Sequence, residues 1–156
     1  MVFALCGGDA RQAELARLLL EDGHEVRSWA LERAELPGGA KVCASAAEAL
    51  EGADCLLLPM PVSAKSGLLN APLSEGTHCL GEVFAAAEPG MPVCGGAIAP
   101  EARAVAEGRG LRLHDYGKRE GVGGVGYAER RTRQKRPELG EPRRDKYLLH
   151  PDADVP

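Results

Sequence analysis

An apolar run, Val2-Phe3-Ala4-Leu5-Cys6, meets Gly7-Gly8-Asp9-Ala10-Arg11-Gln12 and opens into a helical pattern over residues 13–20. That junction restricts the fold more than any other stretch. Five consecutive apolar residues suit a strand buried on both faces, as in a parallel sheet. Two glycines then allow a sharp turn and a close approach of bare backbone to a ligand. Asp9 is a good N-cap, and the first free N–H groups of a helix favour an anion. Arg11 adds a planar, permanently charged fork suited to a carboxylate or a phosphate. The opening therefore predicts an α/β protein with an anion-facing first turn.

The same strand–turn–helix grammar continues along the chain. Gly23, in Asp22-Gly23-His24, closes the first helix, and residues 24–29 read as a second strand. A loop with Pro37, Gly38 and Gly39 leads to a short strand at residues 41–43. Ser45-Ala46-Ala47-Glu48 has the form of a capping box and starts a brief helix to residue 51. Residues 54–58 form another buried strand. Residues 59–77 hold Pro59, Pro61 and Pro72 and read as one long loop of about nineteen residues, a length that points to function. A helix over 78–87 and a strand over 91–94 follow, and Gly95-Gly96 repeats the strand-then-diglycine pattern. Pro100 suits the first position of a helix over 101–107, Gly108 and Gly110 close it, and residues 111–114 form a last strand.

Strands alternating with helices predict a doubly wound, mostly parallel sheet, in a Rossmann-like or flavodoxin-like three-layer domain. Ligands of such sheets lie at the carboxyl ends of the strands. Residues 7–12, residues 59–70 and Gly95-Gly96 should therefore converge on one edge. Ser63 and Lys65 offer a hydroxyl and an ammonium to an acidic substrate, and Asn70 can orient it.

At 156 residues, 44% of them hydrophobic, the chain can bury a real core. Aromatics are only 4%, so Ala, Leu and Val must fill it. No stretch approaches the roughly 20 apolar residues of a membrane span, and the N-terminus has no secretory signal. Cys6, Cys43, Cys55, Cys79 and Cys94 form no close pairs, which fits a reduced, cytosolic compartment and argues against zinc. His24, His78, His114 and His150 have no partners at metal or nucleophile spacing and read as structural.

The net charge of −4 conceals two compositions. Residues 1–120 carry 11 basic and 17 acidic side chains, whereas residues 121–156 carry 8 and 6. The latter segment is rich in Gly and Arg, lacks apolar periodicity, and reads as a disordered tail. Residues 121–126 satisfy G-x-G-x-x-G, but no strand precedes them and no apolar-faced helix follows, so they are not a dinucleotide fingerprint. The basic run over 130–136 has no interleaved aromatics, which speaks against nucleic-acid binding.

Taken together, Gly7-Gly8-Asp9-Ala10-Arg11-Gln12, Leu57-Leu58-Pro59-Met60-Pro61-Val62-Ser63, Asn70-Ala71-Pro72 and Asp115-Tyr116-Gly117-Lys118-Arg119-Glu120 resemble the N-terminal domain of the dipicolinate synthase A-subunit. The resemblance covers about residues 1–120. It implies a spore former, a cytoplasmic location in the mother cell, and oxidation of a dihydrodipicolinate-type precursor to dipicolinate. It also implies NAD(P) on a second Rossmann domain and, as partner, the flavoprotein-like B-subunit of dipicolinate synthase. Within residues 1–120 it implies a substrate side built from Gly7, Gly8, Asp9, Arg11, Gln12, Ser63, Lys65, Asn70, Gly95 and Gly96, with no cofactor bound by this chain alone. The change of composition after residue 120, where that second domain should begin, reads as a frameshifted or mis-joined frame, and the chain is expected to be inactive alone. The competing expectation is a stand-alone module that binds a small dicarboxylate or a nucleotide without catalysis.

Overall fold

The α/β reading of residues 2–20 is realised in the computed structural model, which describes residues 1–117. Strand β1 (Val2–Cys6) runs into helix α1 (Ala10–Glu21), and β2 (Glu25–Trp29) follows. Then come β3 (Lys41–Val42), α2 (Ala46–Leu50) and β4 (Cys55–Leu57). A hairpin, β5 (Ser63–Lys65) and β6 (Leu68–Leu69), precedes α3 (Leu80–Ala86). Strand β7 (Pro92–Gly95), α4 (Pro100–Gly108) and β8 (Arg112–Asp115) complete the described chain.

Six strands form one sheet in the order β3-β2-β1-β4-β7-β8, and every pair in it is parallel. The order reverses direction between β1 and β4, which creates a switch point there. Alternation along β1 explains the two cores. Ala4 and Cys6 join Leu56, Leu58 and Val93 under α2, α3 and α4, with Leu50, Leu80, Val83, Phe84 and Ala106 from those helices. Leu5, with Phe3 beside it, joins Val26, Cys55 and Leu57 under Ala16, Leu15 and Leu19 of α1. Cys6 and Cys55 on their strands, and Cys43 just after β3, are buried and behave as small hydrophobes.

Local signals act where the sequence places them. Asp9 caps α1, and its carboxylate accepts the Arg11 N–H at 3.0 Å. Ser45 Oγ accepts the Glu48 N–H at 3.1 Å, and the Glu48 carboxylate reaches back to the Ala44 N–H at 2.9 Å. The capping box thus closes one residue earlier than its usual form, in which the acid returns to the cap residue itself. His24 packs at a tilt against Phe3 and His78 against Trp29, with centroids 5.2 and 4.4 Å apart.

Two expectations are corrected. The single long loop over 59–77 contains the antiparallel β5–β6 hairpin, turned at Ser66-Gly67 with Gly67 at φ +73°. Its anchors are Val62, fully buried, and Leu69, 4% exposed, which pack into the larger core. The helix expected from residue 78 starts at Leu80, because the His78 carbonyl accepts the Leu69 N–H at 3.0 Å and Cys79 is extended. The tail, the G-x-G-x-x-G string and the frameshift reading lie outside the described residues.

Candidate functional site

The first turn is built by three strand ends. Gly7 donates its N–H to the Trp29 carbonyl at the end of β2, at 2.9 Å. Gly8 donates to the Asn70 carbonyl beyond β6, at 2.8 Å. Both glycines have positive φ, +72° and +112°, so the path itself selects glycine. Space selects it as well. A Cβ at Gly7 would stand 2.8 Å from Leu69, and one at Gly8 would stand 2.2 Å from the Gln12 side chain.

Arg11 links this turn to the segment after β4. Its guanidinium holds Asp9 in a two-point pair, Nε to Oδ1 at 2.9 Å and Nη2 to Oδ2 at 2.8 Å. Nη2 also donates to the Met60 carbonyl at 2.7 Å. The pair faces solvent, with the Arg11 side chain 66% exposed. Hydrogen bonding from Arg11 holds the Asp9 carboxyl below the usual carboxylate range.

The loop after β4 is seated by the loops around it. Asn70 donates its backbone N–H to the Val62 carbonyl at 2.8 Å and its side-chain Nδ2 to the Pro61 carbonyl at 2.9 Å. Gly95 and Gly96 leave room for this loop rather than for open solvent. A Cβ on Gly95 would meet Val62 at 2.6 Å, and one on Gly96 would meet Met60 at 2.5 Å. The Val62 N–H donates to the Gly96 carbonyl at 2.9 Å. Gly7, Gly8, Asp9, Arg11, Gln12, Asn70, Gly95 and Gly96 therefore belong to one connected cluster at the carboxyl edge of the sheet.

Ser63 and Lys65 stand apart from it. They lie on β5, Ser63 partly buried and Lys65 exposed, and among the described residues no hydrogen bond or ion pair joins either to the Asp9–Arg11 pair. Gln12 has the opposite character: it is 7% exposed, its chain folds over Gly8, and its Nε2 has no partner among the described residues. The turn's N–H groups are mostly engaged, since Gln12 N–H donates to the Asp9 carbonyl at 2.9 Å. The polar group that this edge presents to solvent is the outer face of the Arg11 fork, whereas Gln12 Nε2 is buried.

Sequence reasoning missed the acceptors and the brace. Met60 and Trp29 act through backbone carbonyls, which no side-chain pattern announces. Asp115, at the end of β8, is the brace. Its carboxylate accepts the N–H groups of Ala97, Ile98 and Gly117 at 3.1, 3.2 and 2.8 Å, and Arg103 Nη2 at 3.0 Å. An acid ending a strand beside a diglycine loop was the available signal. A cavity of about 590 Å³ runs along α1, lined by Ala10, Ala13, Glu14, Arg17, Arg33 and Leu36 among others, and includes none of the expected site residues. Among the described residues no group of three or more His, Cys, Asp or Glu could hold a metal, and no helix is long and apolar enough to cross a membrane.

The fold has known counterparts. Dipicolinate synthase A chain from Bacillus subtilis superposes with a TM-score of 0.66 at 20% identity, over 76% of this chain and 41% of that one. The dipicolinate synthase A-subunit from Bacillus halodurans gives 0.62 at 16% identity, over 72% and 39%. At such identities the likeness establishes the shared fold, and this chain spans about two-fifths of the length of those proteins. No curated protein sequence matches it. The family described as the N-terminal domain of the dipicolinate synthase A-subunit matches residues 2–117, a span that includes the first turn, the loop after β4 and the Asp115 brace, and the chain belongs to that family.

Proposed function

We propose that residues 1–120 act as the substrate-side domain of a dipicolinate-forming oxidoreductase, receiving a planar dicarboxylate of the dihydrodipicolinate class. The observation that carries this reading is the Arg11 junction. One guanidinium at the switch point ties the start of α1 to the Met60 carbonyl and leaves its outer face exposed. A dianion needs charge-assisted donors of this kind. Lys65, exposed on β5, and Ser63 supply a second set of donors once the ligand, or a movement of the hairpin, spans the gap.

The described residues do not fit NAD(P). A pyrophosphate needs free N–H groups at a helix N-terminus. Here the Asp9 carboxylate already fills that position, and Gly7 and Gly8 donate to protein carbonyls. In this reading the nicotinamide is held on another domain, the flavoprotein-like B-subunit of dipicolinate synthase is the partner, and the setting is the cytoplasm of a sporulating mother cell. Residues 1–120 contribute recognition and orientation of the dicarboxylate and no redox group.

Calorimetry of the purified chain with pyridine-2,6-dicarboxylate, AMP and NADP tests the reading. The dicarboxylate should bind and the nucleotides should not. Binding of AMP in place of the dicarboxylate would identify a nucleotide module instead. The chain mixed with precursor and NADP should give no dipicolinate absorbance, and turnover by the chain alone would overturn the assignment of recognition without chemistry.

A further inference from the structure

Residues 58–62 are tied down along both sides. The Leu58 N–H donates to the Cys94 carbonyl at 2.7 Å, and the Val62 N–H donates to the Gly96 carbonyl at 2.9 Å. The Met60 carbonyl accepts Arg11 Nη2 at 2.7 Å, and the Pro61 carbonyl accepts Asn70 Nδ2 at 2.9 Å. A backbone held in this way decides where the Met60 side chain lies. It crosses Gly96, where a Cβ would stand 2.5 Å from Met60 Cγ and 2.6 Å from Cε. One side of the thioether chain rests on bare backbone, and the other meets solvent, since Met60 is 44% exposed.

The Arg11 fork reaches the same residue. Asp9 and the Met60 carbonyl engage its Nε and Nη2, whereas Nη1 has no partner among the described residues. Nη1 and Nη2 branch from one carbon, so a carboxylate received by Nη1 brings the body of its molecule next to Met60. Asp9 offsets much of the guanidinium charge and the pair is exposed, so ionic attraction alone holds a carboxylate weakly here. A ligand with a flat apolar body gains more by covering the thioether, because sulfur and methylene groups pack favourably against an aromatic ring.

This inference rests on the reading of residues 1–120 as a dicarboxylate-receiving domain, and it names what in the ligand is recognised. We propose that Met60 is a specificity-determining residue of that site, its thioether chain covering one face of the ligand's unsaturated ring while Arg11 Nη1 takes a carboxylate. Charge then selects dicarboxylates, and Met60 selects ring dicarboxylates from open-chain ones of equal charge. A ring that flattens as it is oxidised gains contact with Met60, so the interaction strengthens towards product.

Gly96 provides the seat. Its φ lies outside the left-handed region, so a methyl there is opposed by space alone, and the space is occupied by Met60. Gly96→Ala therefore displaces the thioether chain without deleting it.

The test compares pyridine-2,6-dicarboxylate with glutarate, an open-chain dianion with as many atoms between its carboxylates, by calorimetry on the folded chain. Met60→Ala should weaken the ring ligand about fivefold and glutarate less than about twofold. Arg11→Ala should weaken both alike. Met60→Leu keeps the bulk and loses the sulfur, so it should fall between Met60→Ala and the wild type. Gly96→Ala should reduce the ring's advantage with the Met60 side chain still present. In NMR with isotope-labelled methionine methyls, the Met60 methyl should move upfield in the ring current of pyridine-2,6-dicarboxylate and stay in place with glutarate. Met1 and Met91 serve as references. Equal losses for the two ligands in Met60→Ala, no loss for either, or an unmoved Met60 methyl in the ring-bound protein would each overturn the proposal. The dicarboxylate reading would survive those results if the wild type binds and Arg11→Ala binds less. A wild type that binds neither ligand would overturn that reading and the proposal with it.

Discussion

Arg11 holds the Asp9 carboxylate two residues before it and the Met60 carbonyl forty-nine residues after it with the same Nη2, at 2.8 and 2.7 Å. The helix cap and the loop after β4 therefore share one donor. An incoming carboxylate meets a guanidinium already oriented by Asp9, and orientation in advance is what reduces the cost of binding.

Removing that donor should harm recognition far more than folding. The Arg11–Asp9 pair is exposed, and exposed pairs contribute little to stability. Arg11→Ala should leave the melting temperature almost unchanged while weakening pyridine-2,6-dicarboxylate binding at least about tenfold, the scale of one charge-assisted hydrogen bond. Arg11→Lys keeps the charge but loses the fork, so it should recover only part of the affinity. Calorimetry on both variants beside a thermal scan checks this, and equal affinity in all three proteins would remove Arg11 from the site.

Gly95 should tolerate nothing larger. A methyl there would press on Val62 Cγ2 at 2.6 Å and Leu58 Cβ at 3.2 Å. Val62 is fully buried and cannot swing aside. Gly95→Ala should cost about 1–3 kcal/mol, as overpacking does, read as a lower urea midpoint. Gly38→Ala, where a Cβ meets nothing within 4 Å, is the control that should leave the midpoint in place.

These two predictions mark how far the sequence could be read. Val2 to Cys6 announces its strand through apolar continuity, Asp9 announces its cap, and the alternation of elements yields the parallel sheet. The convergence of residues 7–12, 59–70 and 95–96 follows from strand ends alone. What hides is whatever acts through backbone. The hairpin at Ser63 and Leu69 is too short to show alternation, and Met60 and Trp29 meet the first turn through their carbonyls. Gly95 and Gly96 look like places for a ligand, because sequence shows the missing side chain but not the Val62 and Met60 atoms that fill the space. Asn70 looks free in the sequence for the same reason; its amide is held by Pro61.

The capping box of α2 should carry a measurable share of stability despite its short helix. Ser45 Oγ accepts the Glu48 N–H at 3.1 Å, one of the helix's otherwise unpaired first-turn donors. Ser45→Ala should cost about 1 kcal/mol and Ser45→Asp should restore most of it, by the usual scale of N-caps. Urea unfolding of the two variants compares them directly, and equal loss in both would show that the hydroxyl's bond is not what stabilises the turn.

Asp115 should make the fold sensitive to acid. Its side chain is 4% exposed, and burial, the largest single influence, pushes its carboxyl up. The N–H groups of Gly117, Ile98 and Ala97 and the Arg103 charge outweigh burial, so the carboxyl lies below its ordinary value. A carboxyl lowered by folding contributes stability that is fully present above the unfolded value, about 3.9, and is lost as pH falls through the native one. Stability should therefore hold near pH 7 and fall progressively below about pH 4. Asp115→Asn keeps the shape but loses the charge facing Arg103, so it should cost about 2–3 kcal/mol at pH 7. The gap between wild type and variant should narrow as the pH drops, because the wild type then loses the same charge. Urea midpoints measured for both proteins from pH 7 down to pH 3 decide the point: a gap that stays constant would place the Asp115 contribution in its shape and not in its ionisation.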